Sequence, residues 1–203
     1  MRSPLVSIFL KAPRPGGVKT RIAHSLGPDA ACAIYRELVG QVLHNLRELP
    51  DIELRFTPED PQATAEIDPW LHPGWTALGQ GPGDLGQRMA NAIRHGLQRQ
   101  FPAVIVIGSD CPEVRASDIQ SAAQALSNGS DVVLGPAEDG GYWLIAAKAN
   151  HPSLFNGIEW STERVLQQTL DAAEASNLKV QQLRTLRDID TAPDWEAYQQ
   201  RRG

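Results

Sequence analysis

Cysteine is scarce in this 203-residue chain: Cys32 and Cys111 stand alone and far apart. Two isolated thiols build no disulfide framework and show no zinc-ligand spacing, so the expectation is a pair of reduced thiols in a cytoplasmic protein. Long apolar runs are missing as well. LVSIFL at 5–10 and AVIVIG at 103–108 fall far short of the ~20 residues that span a bilayer, so no membrane partner is expected. No small-residue cleavage site follows the first run. A basic, Pro/Gly-rich stretch does, and Leu5–Leu10 reads as a buried strand and not as a secretion signal. Basic excess is absent too: 19 Lys and Arg against 24 Asp and Glu leave a formal charge of −5, which argues against a nucleic-acid partner. The chain has no G-x-S-x-G nucleophile elbow, no G-x-x-x-x-G-K-[ST] phosphate loop and no histidines at metal spacing. With 41% hydrophobic and 21% charged residues it nevertheless has the composition of an ordinary globular protein, expected to form one domain over residues 1–203.

What is present alternates in period. Leu5–Leu10 reads as a strand. From Pro28 to Leu49 the positions Ile34, Leu38, Val42 and Leu46, flanked by Tyr35, Val39 and Leu43, make an amphipathic helix. Ile52, Leu54 and Phe56 alternate in a second strand over 51–57. Four prolines between 58 and 73 predict a loop with at most one short helical turn, and 75–78 a short strand. Asp84 caps a helix carrying Leu85, Met89, Ile93 and Leu97. The continuous apolar run at 103–108 is expected of a central parallel strand covered on both faces. Helices over 117–127, 162–175 and 192–200 and strands over 131–134, 142–147 and 180–183 complete an α/β sandwich with a mainly parallel sheet.

Five segments carry candidate chemistry. KAPRPGGVKTR at 11–21 sets Lys11, Arg14, Lys19 and Arg21 on a strand-to-helix turn, where Gly17 lets the backbone approach a phosphate. GPGDLG at 81–86 matches a dinucleotide fingerprint, but Asp84 would repel a pyrophosphate; the segment reads as a turn with a helix cap, or as Asp84 and Arg88 touching a substrate hydroxyl or base. In GSDCPEV at 108–114, Asp110 follows the most apolar strand and faces the crevice where ligands bind, as a Mg²⁺ ligand would. In GPAEDGGYWLIA at 135–146, Asp139, Gly140, Gly141 and Tyr142 read either as a hairpin turn or as a site wall. In RDIDTAPDW at 187–195, Asp190 reads as a helix cap or a second metal carboxylate, and Thr191 is a rival cap.

Taken together, the basic loop, GPGDLGQRM, GSDCPEV, EDGGYWLIA, the WST element at 160–162 and the late DIDT resemble the DUF2064 or "transferase 1" family. It lies within the nucleotide-diphospho-sugar transferase superfamily, and the resemblance runs from about Leu5 to about Tyr198. It implies a Rossmann-like three-layer sandwich of the GT-A type with a mixed, mainly parallel sheet. It implies a Mg²⁺ (or Mn²⁺) ion on Asp110 and Asp190; Asp110 and Asp139 are the candidate catalytic acids. The basic loop then holds the phosphates, while Asp84, Arg88, Gly140, Gly141, Tyr142, Trp160 and Thr162 bind substrate. Three departures stand out: KTR is kept without G-x-G-T, no strict D-x-D occurs, and the late element carries an inserted Ala192. The implied function is transfer from a nucleotide or nucleotide sugar to a small-molecule acceptor. Glycosyl transfer is placed first and nucleotidyl transfer with release of pyrophosphate stands as its alternative, because four cations suit a triphosphate. A non-catalytic nucleotide-binding regulator is the third reading. Nucleobase, sugar, acceptor and oligomeric state are left open.

Overall fold

The computed structural model describes residues 2–202. Seven strands form one sheet: β1 (Leu5–Lys11), β2 (Ile52–Thr57), β3 (Thr76–Gly79), β4 (Val104–Ile107), β5 (Val132–Pro136), β6 (Tyr142–Ala147) and β7 (Val180–Gln182), in the spatial order β3-β2-β1-β4-β6-β5-β7. Among the described residues only β6 runs against its neighbours, pairing antiparallel with β4 and β5; the other pairs are parallel. The mixed, mainly parallel sheet expected from the sequence is therefore what forms.

Its two faces are set by the two-residue period of the strands. In β1, Val6, Ile8 and Leu10 enter one core, and Leu5 and Phe9 the other. The pattern repeats in β4, where Ile105 and Ile107 oppose Val104 and Val106. The first face is covered by α2 (Pro28–Leu46) and α5 (Ala116–Ser127), the second by α4 (Leu85–Gln98) and α6 (Val165–Ala175), which gives the three layers. A third, smaller core joins α1 (Thr20–Leu26), α2 and α7 (Ala192–Arg202) through Ile22, Ile34, Leu38, Trp195 and Tyr198, with Ile189 among them. That small core ties the late segment of the chain to the start of α1.

Several boundaries differ from the sequence reading. The proline-rich stretch holds α3 (Pro61–Ile67), because Asp60 accepts a hydrogen bond from Ala63 N at 2.7 Å and Pro61 fits the first helical turn. α2 stops at Leu46, and α6 starts at Val165 and not at Thr162. Ser161 has a φ of 65°, which interrupts helical geometry, and Thr162 Oγ1 is engaged with Glu159 O at 2.7 Å. The first residue of α7 follows Thr191, which accepts from Asp194 N at 3.3 Å while Asp194 Oδ2 accepts from Thr191 N at 3.0 Å. Thr191, and not Asp190, caps that helix.

β1 has β2 on one side and β4 on the other, so the strand order reverses there. The loops that follow β1 and β4 start at this point, the carboxyl-edge position where wound sheets have their ligand crevice.

Candidate functional site

The loop after β1 enters the crevice and is held from outside. Arg14 forks onto Asp60 at 2.7 and 3.0 Å and reaches Glu66 at 2.8 Å. The Arg14 fork, and after it the Ala63 N–H, lowers the Asp60 carboxyl to about 2. Arg14, expected on phosphates, thus spends its guanidinium anchoring the loop to α3. Lys11 and Arg21 keep exposed side chains at the two ends of the loop. Lys11 N also donates to Tyr35 Oη at 2.7 Å, which fixes the loop's start over α2.

Lys19 does something different. Its backbone is left-handed, φ 45° and ψ 49°, and its side chain is only 4% exposed. The ammonium lies 2.5 Å from Asp110 Oδ1 and 2.8 Å from Asp190 Oδ1. Burial works against this charge, but the two acids outweigh it and raise the lysine above its ordinary value. Asp110 and Asp190 themselves are 49% and 36% exposed, and Arg21 stands 3.6 Å from Asp190 Oδ2.

The late acids reach this spot from the far side of the sheet. β7 lies at the edge of the sheet, on β5. The chain then crosses back over the carboxyl ends of the strands. Leu186 N donates to Pro136 O at 3.0 Å, Glu138 N to Leu186 O at 3.0 Å, and Ile189 N to Asp110 O at 2.9 Å. This crossing also delivers Asp188, which sequence reasoning passed over. Burial, then Asp139, Asp190 and Asp110, push its carboxyl up to about 6. The neighbouring Cys111 thiol is raised well above its ordinary value by burial and then by Asp110, Asp188 and Asp139, net of Lys19. Four acids and one buried ammonium therefore share one field.

Other expected site residues are placed by packing. Asp139 Oδ1 accepts from Gly141 N at 2.8 Å, tightening the turn before β6. Gly140 has a φ of 86°, and a methyl there would meet Glu163 O at 2.2 Å, so the start of α6 docks against it. Tyr142 and Trp160 pack into the core on the α4/α6 face. Asp84 caps α4 in a reciprocal box with Gln87, at 2.8 and 3.0 Å. Arg88 turns to the Gln80 side-chain carbonyl at 3.4 Å and makes no ion pair with Asp84 among the described residues. Thr162 closes a turn, as above. The structure thus brings Lys19, Arg21, Asp110 and Asp190 together, with Asp139 and Asp188 in their field, while Asp84, Tyr142, Trp160 and Thr162 hold the walls in place.

Among the described residues no three His, Cys, Asp or Glu side chains form a ready-made metal cluster, and no helix is long and apolar enough to cross a membrane. The profile of DUF2064, described as uncharacterized protein conserved in bacteria, matches residues 43–162, more than half of the chain. The chain belongs to the DUF2064 family. This member is similar, at 32% identity and a TM-score of 0.89, to a candidate nucleotide-diphospho-sugar transferase from Desulfovibrio desulfuricans G20, covering 98% of this chain and 87% of that one. The fold is shared with 4-diphosphocytidyl-2C-methyl-D-erythritol synthase from Anaerococcus prevotii DSM 20548, at 12% identity and a TM-score of 0.63, covering 97% and 96% of the two chains. It is also shared with a Mycobacterium tuberculosis H37Rv protein in complex with manganese, at 12% identity and a TM-score of 0.54, covering 97% and 98%. No curated protein matches this DUF2064 chain. Family and fold are those the sequence motifs implied.

Proposed function

We propose that this protein is a divalent-metal-dependent transferase that joins the nucleotidyl group of a nucleoside triphosphate to a small acceptor. One observation carries the choice: the lysine of the basic loop meets both crevice acids at once, at 2.5 and 2.8 Å. The basic loop and both acids therefore meet at one spot. A loop with two further exposed cations, Lys11 and Arg21, matches a triphosphate better than the shorter diphosphate of a nucleotide sugar. This reverses the order implied by resemblance alone, which placed glycosyl transfer first.

The residues fit a Mg²⁺ or Mn²⁺ ion. Asp110 and Asp190 offer hard carboxylate oxygens, and Lys19's ammonium already occupies the place of a cation between them. Mg²⁺ needs only one or two carboxylates beside water and phosphate oxygens. Bound there, the ion supplies Lewis-acid neutralisation of charge on the α-phosphate and the departing pyrophosphate.

The chain's own residues do the rest. Lys11, Lys19 and Arg21 hold the phosphates, with backbone at Gly16 and Gly17 free to approach them. Asp139, on the β5–β6 turn and close enough to Asp188 and Cys111 to act on both, orients the acceptor. An ionised oxygen of the acceptor's own phosphate attacks the α-phosphorus, the α–β bridging bond breaks, and pyrophosphate leaves along the loop. A thermal-shift screen of nucleoside triphosphates and nucleotide sugars, with and without Mg²⁺, tests the donor, followed by phosphorus NMR of the products. Stabilisation by a triphosphate and release of pyrophosphate are expected. Stabilisation only by a nucleotide sugar, with release of nucleoside diphosphate, would restore glycosyl transfer.

A further inference from the structure

Lysine normally keeps its ammonium in water and lays only its stem on the protein. Lys19 inverts this: the head group is buried between Asp110 and Asp190, on a residue whose backbone is left-handed. The charged groups facing it are these two acids, with Asp139 and Asp188 close by in the same field and Arg21 beside Asp190 on the solvent side. The ammonium uses one oxygen of each acid, on the side where both can be reached together. A divalent ion shared by the same two acids needs that same space, and two cations at such range repel strongly.

We propose that Lys19 is a counter-ion latch: its ammonium closes the Asp110–Asp190 pair to a free divalent cation, and a polyphosphate drawn into the basic loop pulls it away and admits the ion. The inference rests on the two-acid metal site of the proposed function. The four-carbon stem of lysine gives the head group room to swing from acids to phosphates without moving the backbone. The loop itself is kept still by Arg14 on Asp60 and Glu66. Ion and polyphosphate then enter as a coupled pair, and the coupling is reciprocal: whatever raises the affinity for one raises that for the other.

The test uses the full chain and Mn²⁺ alone, titrated while free Mn²⁺ is followed by electron paramagnetic resonance. Wild type should bind weakly, Lys19→Met about tenfold or more tightly, and Lys19→Met with Asp110→Asn should lose that gain. If Lys19→Met binds Mn²⁺ no better than wild type while Asp110→Asn still abolishes binding, the latch is wrong and the two-acid site stands. If neither wild type nor Lys19→Met binds Mn²⁺, the two-acid site falls and the latch with it. Because Lys19→Met leaves two acids facing each other, a second measurement uses wild type only. The ammonium signal of Lys19 in nitrogen-detected NMR should persist unchanged in millimolar Mg²⁺ and shift when Mg²⁺ is added with inorganic tripolyphosphate. A shift with Mg²⁺ alone would overturn the latch.

Discussion

Asp118, 8% exposed in the first turn of α5, shows how a single carboxylate holds two distant segments together. Arg184, which lies after β7, reaches its two oxygens at 2.8 Å each, and Arg115 N donates at 2.8 Å. Burial by itself would raise the Asp118 carboxyl, but these donors hold it below the ordinary value. A group depressed in the folded state stabilises above its unfolded pKa and loses that contribution as pH falls through the folded one. Asp118→Asn should therefore destabilise by roughly 1–3 kcal/mol at pH 7. Its urea midpoint should converge with wild type as pH drops below the ordinary carboxylate range. A gap that stays constant with pH would place the effect outside the charge. In the crevice, Asp110 and Asp190 share one ammonium and so should act as a unit. Asp110→Asn and Asp190→Asn should each remove most turnover, and the double variant should be little worse than either, as steady-state kinetics will show.

At the level of elements, α4 is the part of the wall that sequence motifs most easily mislead. Its GPGDLG segment looks like a dinucleotide fingerprint, yet Asp84 is a cap and Gly86 is a seat for Trp160. A methyl on Gly86 would lie 2.3 Å from Trp160 Cζ2. Gly86→Ala should cost about 1–3 kcal/mol by forcing the ring to move. Asp84→Ala should cost about 0.5–2 kcal/mol, with Asp84→Ser recovering most of it and turnover per folded molecule unchanged. Denaturation curves paired with activity separate these outcomes; turnover lost at unchanged stability would return Asp84 to the substrate. The elements themselves were legible because their signals are local. Apolar runs at 5–10 and 103–108 became central strands, and the four-residue spacing from Ile34 to Leu46 became the buried side of α2. α3 was harder to read, since its prolines mark both a loop and a helix start, and only the Asp60 cap decides between them. Tyr142 and Trp160 were harder still, because an aromatic beside glycines looks the same in sequence whether it lines a site or fills a core.

On the scale of the whole molecule, the crevice is built from segments that no local pattern links. Asp110 and the basic loop were readable, because a charged residue at the end of a buried strand has few places to go. Asp188 was not, because its position depends on the late segment crossing the sheet edge through Leu186 and Ile189. The small core of Ile22, Ile189 and Trp195 then fixes that segment against α1, which begins right after Lys19. Residues 19, 110 and 190 are thus joined by ion pairs and by packing behind them, and a ligand bound there bridges both ends of the chain. Such a ligand stabilises only the folded state, by about 2.7 kcal/mol at a hundred times its dissociation constant. For a chain of this size that is a rise in unfolding temperature of roughly 5–10 °C. A nucleoside triphosphate with Mg²⁺ should produce it, and removal of the metal with EDTA, or Asp110→Asn, should cancel most of it. Hydrogen exchange should slow in the same experiment at two places far apart in sequence, the loop 12–19 and the crossing segment 186–190. Protection confined to the loop would mean that the acids at the end of the chain take no part in binding, and the two-acid site would have to be abandoned.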